Sequence, residues 1–354
     1  MRAAVIGGGI NGIMSAWALA QNKLDVDLFE RGRLMGATSS ASTKLLHGGL
    51  RYLEQGHFKL VRESLRERQW WMMEAPHLTK RLQIKIPVYE DDRRSAWMIR
   101  CGLTLYEWLA GQASLGSWQR CSLQEVMRSP DDLRTKGLRA VFAFYDGQMD
   151  DCALGLWAAE KAVAAGVRIH TDTAVDALSQ DGSVQVAGQW HRYDWVVNVA
   201  GPWARHLLDI SGIPARHDLD LVRGSHILLD CPSESAFLLQ APQDDRVCFV
   251  LPYQGKTLVG TTEVRQQLSD PICCSSEEMN YLLELYRHYF PSKEAKVCGV
   301  FSGLRPLVRS HRDPNKAGRE YATERSQRLI SVFGGKWTTS RTLGLKVAEV
   351  VASA

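Results

Sequence analysis

The sequence predicts an α/β protein: a parallel-sheet βαβ domain interrupted by a second domain of mixed antiparallel sheet. Three observations carry this. An apolar strand, a glycine turn, a helix and a second strand fill residues 2–30. Another apolar strand runs into a glycine turn at residues 329–339, near the opposite end of the chain. Between them lie many short alternating runs separated by turn residues, and 354 residues suit two domains rather than one.

Residues 2–6, R-A-A-V-I, read as a buried strand. Gly7, Gly9 and Gly12 then give G-x-G-x-x-G, residues 10–22 have helix composition, and residues 24–29 alternate as a strand ending at Glu30. Such glycines permit a tight turn and close approach of a pyrophosphate to the helix N-terminus, while an acidic residue about 20 positions on takes the ribose hydroxyls. Glu30 would repel a 2′-phosphate, so the expected ligand has an ADP half without one: NAD or FAD. Residues 36–52, G-A-T-S-S-A-S-T-K-L-L-H-G-G-L-R-Y, have the wrong composition for a core element. Small hydroxylated residues let backbone approach a flat ring, and the cationic end can hold an anion beside it.

The stretch 56–75 is a charged helix with Leu60, Val61 and Leu65 on one face, its charges read as solvated, and Pro76 as its stop. Residues 82–88 alternate as a strand. Residues 96–111 are the most apolar helical stretch; core is the expected place, a membrane interface the alternative. Residues 116–140 are polar, with a turn at 129–132. Phe142–Tyr145 reads as a short strand ending in an Asp146-Gly147 turn. Residues 150–165 form a helix capped by Asp150 or Asp151 and stopped by Gly166. Strands follow at Val167–His170, Thr173–Leu178 and Val184–Ala187, and residues 193–200 run into Ala200-Gly201-Pro202-Trp203, where a parallel sheet offers its carboxyl edge to a ligand. Residues 219–230 form a strand carrying Arg223 and His226. Residues 247–264 form a hairpin turning at Gln254-Gly255, and 275–290 a helix. Residues 297–309 return towards the site, and Leu329–Phe333 is the last strand. Gly334-Gly335-Lys336-Trp337-Thr338-Thr339 opens the final helix.

The net charge of +4 gives no argument for nucleic acid. Eight cysteines without a C-x-x-C pair or zinc spacing read as reduced thiols, with no metal site. No stretch of about 18 apolar residues exists to span a bilayer. Two glycine-rich turns imply one long cofactor stretched between them. A nicotinamide domain needs only the first, so FAD is favoured over NAD. On this reading residues 1–75, 146–212 and 298–354 bind the cofactor, and 76–145 with 213–297 cap the substrate.

Taken together, G-G-G-I-N-G at 7–12, T-S-S-A-S-T-K-L-L-H-G-G-L-R-Y-L-E at 38–54, A-G-P-W at 200–203, R-G-S-H at 223–226, L-P-Y at 251–253, V-G-T-T-E at 259–263, G-L-R-P-L at 303–307 and G-G-K-W-T-T-S-R at 334–341 resemble the FAD-dependent glycerol-3-phosphate dehydrogenases of the D-amino-acid-oxidase-like superfamily. The resemblance implies a Rossmann-like FAD-binding domain of the GR2/DAO type. It implies oxidation of sn-glycerol 3-phosphate to dihydroxyacetone phosphate, with hydride passing from C2 to flavin N5 and electrons to a quinone or other acceptor. Carried over, Arg51, Tyr52 and Arg319 bind substrate, and His226, Arg305 and Lys336 surround the reacting carbon. The cofactor set is Gly7, Gly9, Asn11, Gly12, Glu30, Arg31, Thr38, Ser39, Ser42, Lys44, Leu45, His47, Gly48, Val175, Ala200, Gly201, Gly334, Gly335, Trp337 and Thr338.

The chemistry agrees. A phosphate dianion wants bidentate guanidinium partners, and histidine has a pKa suited to take the hydroxyl proton. His47 either acts on the flavin or fills its loop. Ala41 stands where relatives often carry Arg, Trp337 and Ser340 replace Leu and Tyr, and the C-terminal helical domain of such dehydrogenases is not in this sequence. The alternative function is a superfamily oxidase or dehydrogenase that takes another anionic 2-hydroxy acid or an amine and uses oxygen. A cytoplasmic location with peripheral membrane contact, through 96–111, is the expectation.

Overall fold

The computed structural model describes residues 1–309 and 321–353, and Arg319 lies outside the described residues. Its first sheet runs Ala322–Ser326, Leu329–Phe333, Trp195–Asn198, Arg2–Ile6, Asp25–Phe29, Arg168–His170. All neighbours are parallel except the Ala322–Ser326 hairpin strand. Strands covered on both faces need near-continuous apolar runs, which is why A-A-V-I and L-I-S-V-F carry so little alternation. Helices Ile10–Gln21, Asp151–Ala164 and Ser340–Ala352 share one buried cluster with this sheet, including Ile13, Leu19, Leu154 and Val347. Gly344 makes the close helix crossing possible, since a Cβ there would lie 2.4 Å from the Met14 carbonyl oxygen.

The second sheet is larger and mixed. Its order is Val264–Arg265, Leu219–Leu229, Lys256–Gly260, Val247–Tyr253, Ala236–Gln240, Thr79–Tyr89, Leu138–Met149, Leu45–Leu46, with Val297–Val308 also paired to Leu219–Leu229. Only Ala236–Gln240 with Thr79–Tyr89 is parallel among these pairs. Helices Phe58–Glu74 and Ala96–Ala110 pack against one part of it through Val61, Leu65, Leu103 and Tyr106, and Ser276–Tyr289 against another through Leu282 and Leu285. Ser275 and Glu278 form a capping box at the start of that last helix.

Four expectations need correction. Asp146-Gly147 is not a turn. The strand runs unbroken from Leu138 to Met149, with Asp146 opposite Leu82, because the Asp146 carboxylate is buried against Arg68 and Tyr106 instead of turning to water. The Phe58–Glu74 helix is not solvated at all its charges: Glu67 and Arg68 are buried. The Ala96–Ala110 helix is only half core. Leu103, Tyr106 and Ala110 are buried, while Trp97 and Trp108 are 73% and 75% exposed. Finally, Val297–Val308 joins the second sheet, although the sequence placed it with the cofactor-binding portion. Strands Gln189–Arg192, Ala236–Gln240 and Ala322–Ser326 were not expected. All eight cysteines are free. No helix of the described residues is long and apolar enough to cross a membrane, and among them no group of His, Cys, Asp or Glu is placed to hold a metal ion.

Candidate active site

Both glycine turns open into one cleft of about 850 Å³ between the two sheets. Gly7 takes φ +116°, and a Cβ on Gly12 would lie 1.8 Å from the Gly7 oxygen, so backbone and helix N-terminus pack with no room for side chains. Glu30 sits at the end of its strand, accepting from the amides of Gly8 (2.6 Å) and Gly32 (2.9 Å). Gly334 and Gly335 have φ +81° and +107°. A Cβ on Gly335 would come 2.6 Å from Asn11 Nδ2, so turns from opposite chain ends touch.

Most of the sequence-derived cofactor set lines this cleft: Gly7, Gly9, Asn11, Glu30, Arg31, Thr38, Ser39, Ser42, Leu45, His47, Val175, Ala200, Gly201, Gly334, Gly335, Trp337 and Thr338. Ser39 ties the turns together. Its hydroxyl accepts from the Ile10 amide at 3.0 Å, and its carbonyl accepts from the Trp337 indole at 3.0 Å. Gly12, Lys44, Gly48 and His226 do not line it. Lys44 is buried and spent on Asp151 (2.7 Å) and the Ser40 carbonyl (2.7 Å). The other Asp151 oxygen accepts from the Ser42 amide and hydroxyl. One carboxylate therefore folds the 40–44 loop over the helix start, and Lys44 supplies its counter-charge. Sequence reasoning missed Asp151. Two adjacent acids at one helix start were the signal, because Asp150 alone makes the cap, accepting from the Ala153 amide at 3.0 Å.

At the other end of the cleft stand His47, Arg51, Tyr52, Arg305 and Lys336. Arg305 donates to the Thr261 hydroxyl at 2.8 Å, and its guanidinium lies 3.5 Å from Glu263. Arg51 lies 3.9 Å from the same Glu263 oxygen. The Lys336 ammonium sits 4.0 Å from the centre of the Tyr52 ring. Burial, then the charges of Lys336, Arg51 and Arg68, push the His47 pKa down to about 3. Burial raises the Tyr52 phenol and lowers the Arg305 guanidinium.

His226 is placed differently. It is 1% exposed, stacked on Phe301 at 4.7 Å, and reaches the cleft only through Thr43, whose hydroxyl is 3.0 Å from its Nε2. Its Nδ1 has no hydrogen-bond partner, and burial with Arg305 and Lys44 holds its pKa well below the usual range. Of these two histidines, His47 is the one that lines the cleft. The sequence also missed Arg68, Asp146 and Tyr106, which are linked to the Gly48 amide beside His47, Asp146 itself lining the cleft. The spacing Val61, Leu65, Arg68 on one helix face was the available signal.

These residues fit an extended dinucleotide bearing a flat ring. The cleft offers a helix N-terminus, an acid at the end of the second strand, two backbone turns, small residues between them, and a buried Asn11 Oδ1 without a partner.

Comparison with known proteins agrees. Residues 2–350 match the family model described as DAO, FAD dependent oxidoreductase. A Pseudomonas aeruginosa protein named glycerol-3-phosphate dehydrogenase is 37% identical over 96% of this chain and 69% of its own length. The Escherichia coli aerobic glycerol-3-phosphate dehydrogenase is 35% identical over 98% of this chain and 72% of its own. A Brucella abortus D-erythritol 1-phosphate dehydrogenase is 36% identical over 96% of this chain and 71% of its own. Among solved structures, the Bacillus halodurans glycerol-3-phosphate dehydrogenase complexed with FAD superposes with TM-score 0.78 at 24% identity, this chain covering 64% of it. Glycine oxidase from Geobacillus kaustophilus, at 20% identity, shares the fold with TM-score 0.78 over 99% of this chain and 95% of its own.

Proposed function

Because this chain belongs to the DAO family of FAD-dependent oxidoreductases, we propose that it oxidises the secondary alcohol of sn-glycerol 3-phosphate to the ketone of dihydroxyacetone phosphate. The observation that carries this is the pairing of Arg51 and Arg305 with His47 at one end of a cleft whose other end suits FAD. When bound, FAD supplies the two-electron acceptor for the hydride of the carbinol carbon.

The protein's own residues hold the charge and move the proton. Arg51 and Arg305 offer two guanidinium forks to the phosphate, each charged hydrogen bond contributing about 1.5–3 kcal/mol. Tyr52, kept protonated by its raised pKa, can donate to a phosphate oxygen. His47 is neutral in the free protein, so Nδ1 or Nε2 has a lone pair for the hydroxyl proton. A bound dianion offsets the cations that suppress its basicity, and the substrate's own charge strengthens the base it needs. Lys336, which lines the cleft, would stabilise negative charge on the bound ring. His226 orients the Thr43 hydroxyl from behind. For Arg319 we keep the substrate-binding role implied by the resemblance, and we assign the first sheet to the cofactor and the second to the substrate.

The acceptor is a quinone on this proposal. The cleft lining also includes an apolar wing of Leu53, Ile86, Val88, Ile99, Leu105 and Phe249, with Glu54, Asp92 and Arg94 in the same lining. Trp97 and Trp108 face outward on the helix beside that wing, eleven positions and three helical turns apart on one face, which suits peripheral contact with a lipid surface at the cytoplasmic side.

Anaerobic titration of the FAD-loaded protein with sn-glycerol 3-phosphate tests the reading: the flavin absorbance should bleach stoichiometrically. Bleaching by D-erythritol 1-phosphate alone would move the substrate to the longer polyol phosphate, a second reading favoured by the 36% identity to the Brucella abortus enzyme. Bleaching by neither would sink both.

A further inference from the structure

We infer that Arg68, Asp146 and Tyr106 form a positioning chain that fixes the reach of His47 and Arg51 by gripping one backbone amide between them. The inference rests on the roles proposed above for those two residues.

The three side chains come from three elements: the Phe58–Glu74 helix, the Leu138–Met149 strand and the Ala96–Ala110 helix. They are 1%, 2% and 4% exposed. Arg68 Nη1 donates to Asp146 Oδ1 at 2.6 Å, and Arg68 Nη2 to the Ala113 carbonyl at 2.5 Å. The Tyr106 hydroxyl donates to Asp146 Oδ2 at 2.8 Å. That same hydroxyl accepts the Gly48 amide at 2.8 Å. The charged pair thus ends on a single N–H, and that N–H lies between His47 and Arg51.

Stability alone does not explain this arrangement. Replacing a buried ion pair by apolar groups of similar volume is often neutral or stabilising, so such a pair is weak evidence for a stabilising role. The geometry at its end is more informative. A Cβ on Gly48 would lie 2.6 Å from the Tyr106 oxygen, so the backbone is pressed onto the hydroxyl. Gly49 follows with φ +79°, and a Cβ there would lie 2.2 Å from the Tyr52 ring. The two glycines are therefore clamped, with Tyr106 on one side and Tyr52 on the other. Any drift of the Gly48 amide carries His47 on its N-terminal side and Leu50–Leu53, with Arg51 and Tyr52, on the other. Burial keeps Tyr106 protonated, so it remains the donor to Asp146 while it accepts from Gly48.

The test uses the FAD-loaded full chain and three variants. Tyr106→Phe removes the hydroxyl and leaves the Gly48 amide buried and unpaired. Arg68→Lys keeps the charge and loses the fork. Arg51→Ala checks the anion-binding role itself. The readouts are the dissociation constant of inorganic phosphate, from the perturbed flavin spectrum, and KM and kcat with sn-glycerol 3-phosphate. For Tyr106→Phe the phosphate constant and KM should rise about three- to tenfold, as expected for one lost hydrogen bond transmitted to the loop, with flavin content unchanged. Arg68→Lys should shift both in the same direction by a smaller factor. If Tyr106→Phe loses its flavin, Arg68→Lys decides alone. Unchanged phosphate binding, KM and kcat in whichever variant decides, even with a lowered melting temperature, would make the chain merely structural and overturn the inference. Unchanged phosphate binding in Arg51→Ala would instead defeat the anion-binding reading, whatever Tyr106→Phe does.

Discussion

The two ends of the cleft are built from different materials. At the Gly7–Gly12 end the wall is backbone: turns with positive φ, a helix N-terminus, and small residues such as Ser39 that join the turns. At the Arg51–Arg305 end the wall is long side chains, and their placement depends on partners from several elements, Glu263, Thr261 and Tyr52 among them. A backbone wall has one geometry and fails when it is intruded upon. A side-chain wall can adjust, and fails by degrees as charges are removed. This contrast orders the effects of substitution.

Gly12→Ala should have the largest effect. Its Cβ would meet backbone, the Gly7 oxygen at 1.8 Å, and backbone cannot swing aside. Strain of about 1–3 kcal/mol or more corresponds to at least about a five- to 150-fold loss of FAD affinity. The ratio of flavin to protein absorbance after purification measures it, and a fully yellow variant would refute the rigid-wall view.

The two histidines come next. His47 lines the cleft and His226 does not, so His47→Gln should lower kcat by about 10²–10⁴, the usual contribution of a general base. His226→Gln should cost much less, acting only through Thr43. The pH dependence carries a sign. In the free protein the His47 pKa is pushed down to about 3, below the ordinary 6.5, so the imidazole stays unprotonated and competent well into acid. Once the anion is bound, Arg51 and Lys336 are offset and the pKa rises. The acid limb of kcat should therefore lie at higher pH than that of kcat/KM, after allowance for the second ionisation of the phosphate ester at about 6. Coincident limbs, or an equal loss from both substitutions, would return His226 to the centre.

What was legible in the sequence follows the same contrast. Gly7, Gly9, Gly12, Glu30, Gly334 and Gly335 could be read because backbone turns demand particular residue types at fixed spacing. The strands and helices that carry them could be read for the same reason. Lys44 and His226 could not be placed, because whether a buried charge faces a ligand or a carboxylate depends on a partner far along the chain, Asp151 for one and Thr43 for the other. Asp146-Gly147 looked like a turn because that dipeptide usually exposes its acid, and only the folded chain supplies Arg68, 78 residues away. The apolar stretch 96–111 looked like core because composition does not say which face carries Trp97 and Trp108.

Arg51→Ala probes the side-chain end directly. Loss of one charged hydrogen bond of about 1.5–3 kcal/mol should raise KM about ten- to 150-fold. Flavin content should not change, since the cofactor arm is held elsewhere. Steady-state kinetics with sn-glycerol 3-phosphate give the factor, and a loss confined to kcat would place Arg51 away from the phosphate.

The smallest effect tests the adjustable wall most finely. One Glu263 oxygen lies 3.5 Å from Arg305 and 3.9 Å from Arg51, the two cleft-lining guanidinium groups to which the phosphate is assigned. Its carboxylate competes with the substrate for the same two cations. Both pairs are partly solvated, and exposed ion pairs contribute about 0–1 kcal/mol. Glu263→Gln should therefore bind inorganic phosphate more tightly, by a factor of at most about five. The change should shrink as salt is raised, because added ions screen the pair. A weaker phosphate complex would mean that Glu263 holds the two arginines in place instead of competing for them, and the charged end of the cleft would then be as preorganised as the glycine end.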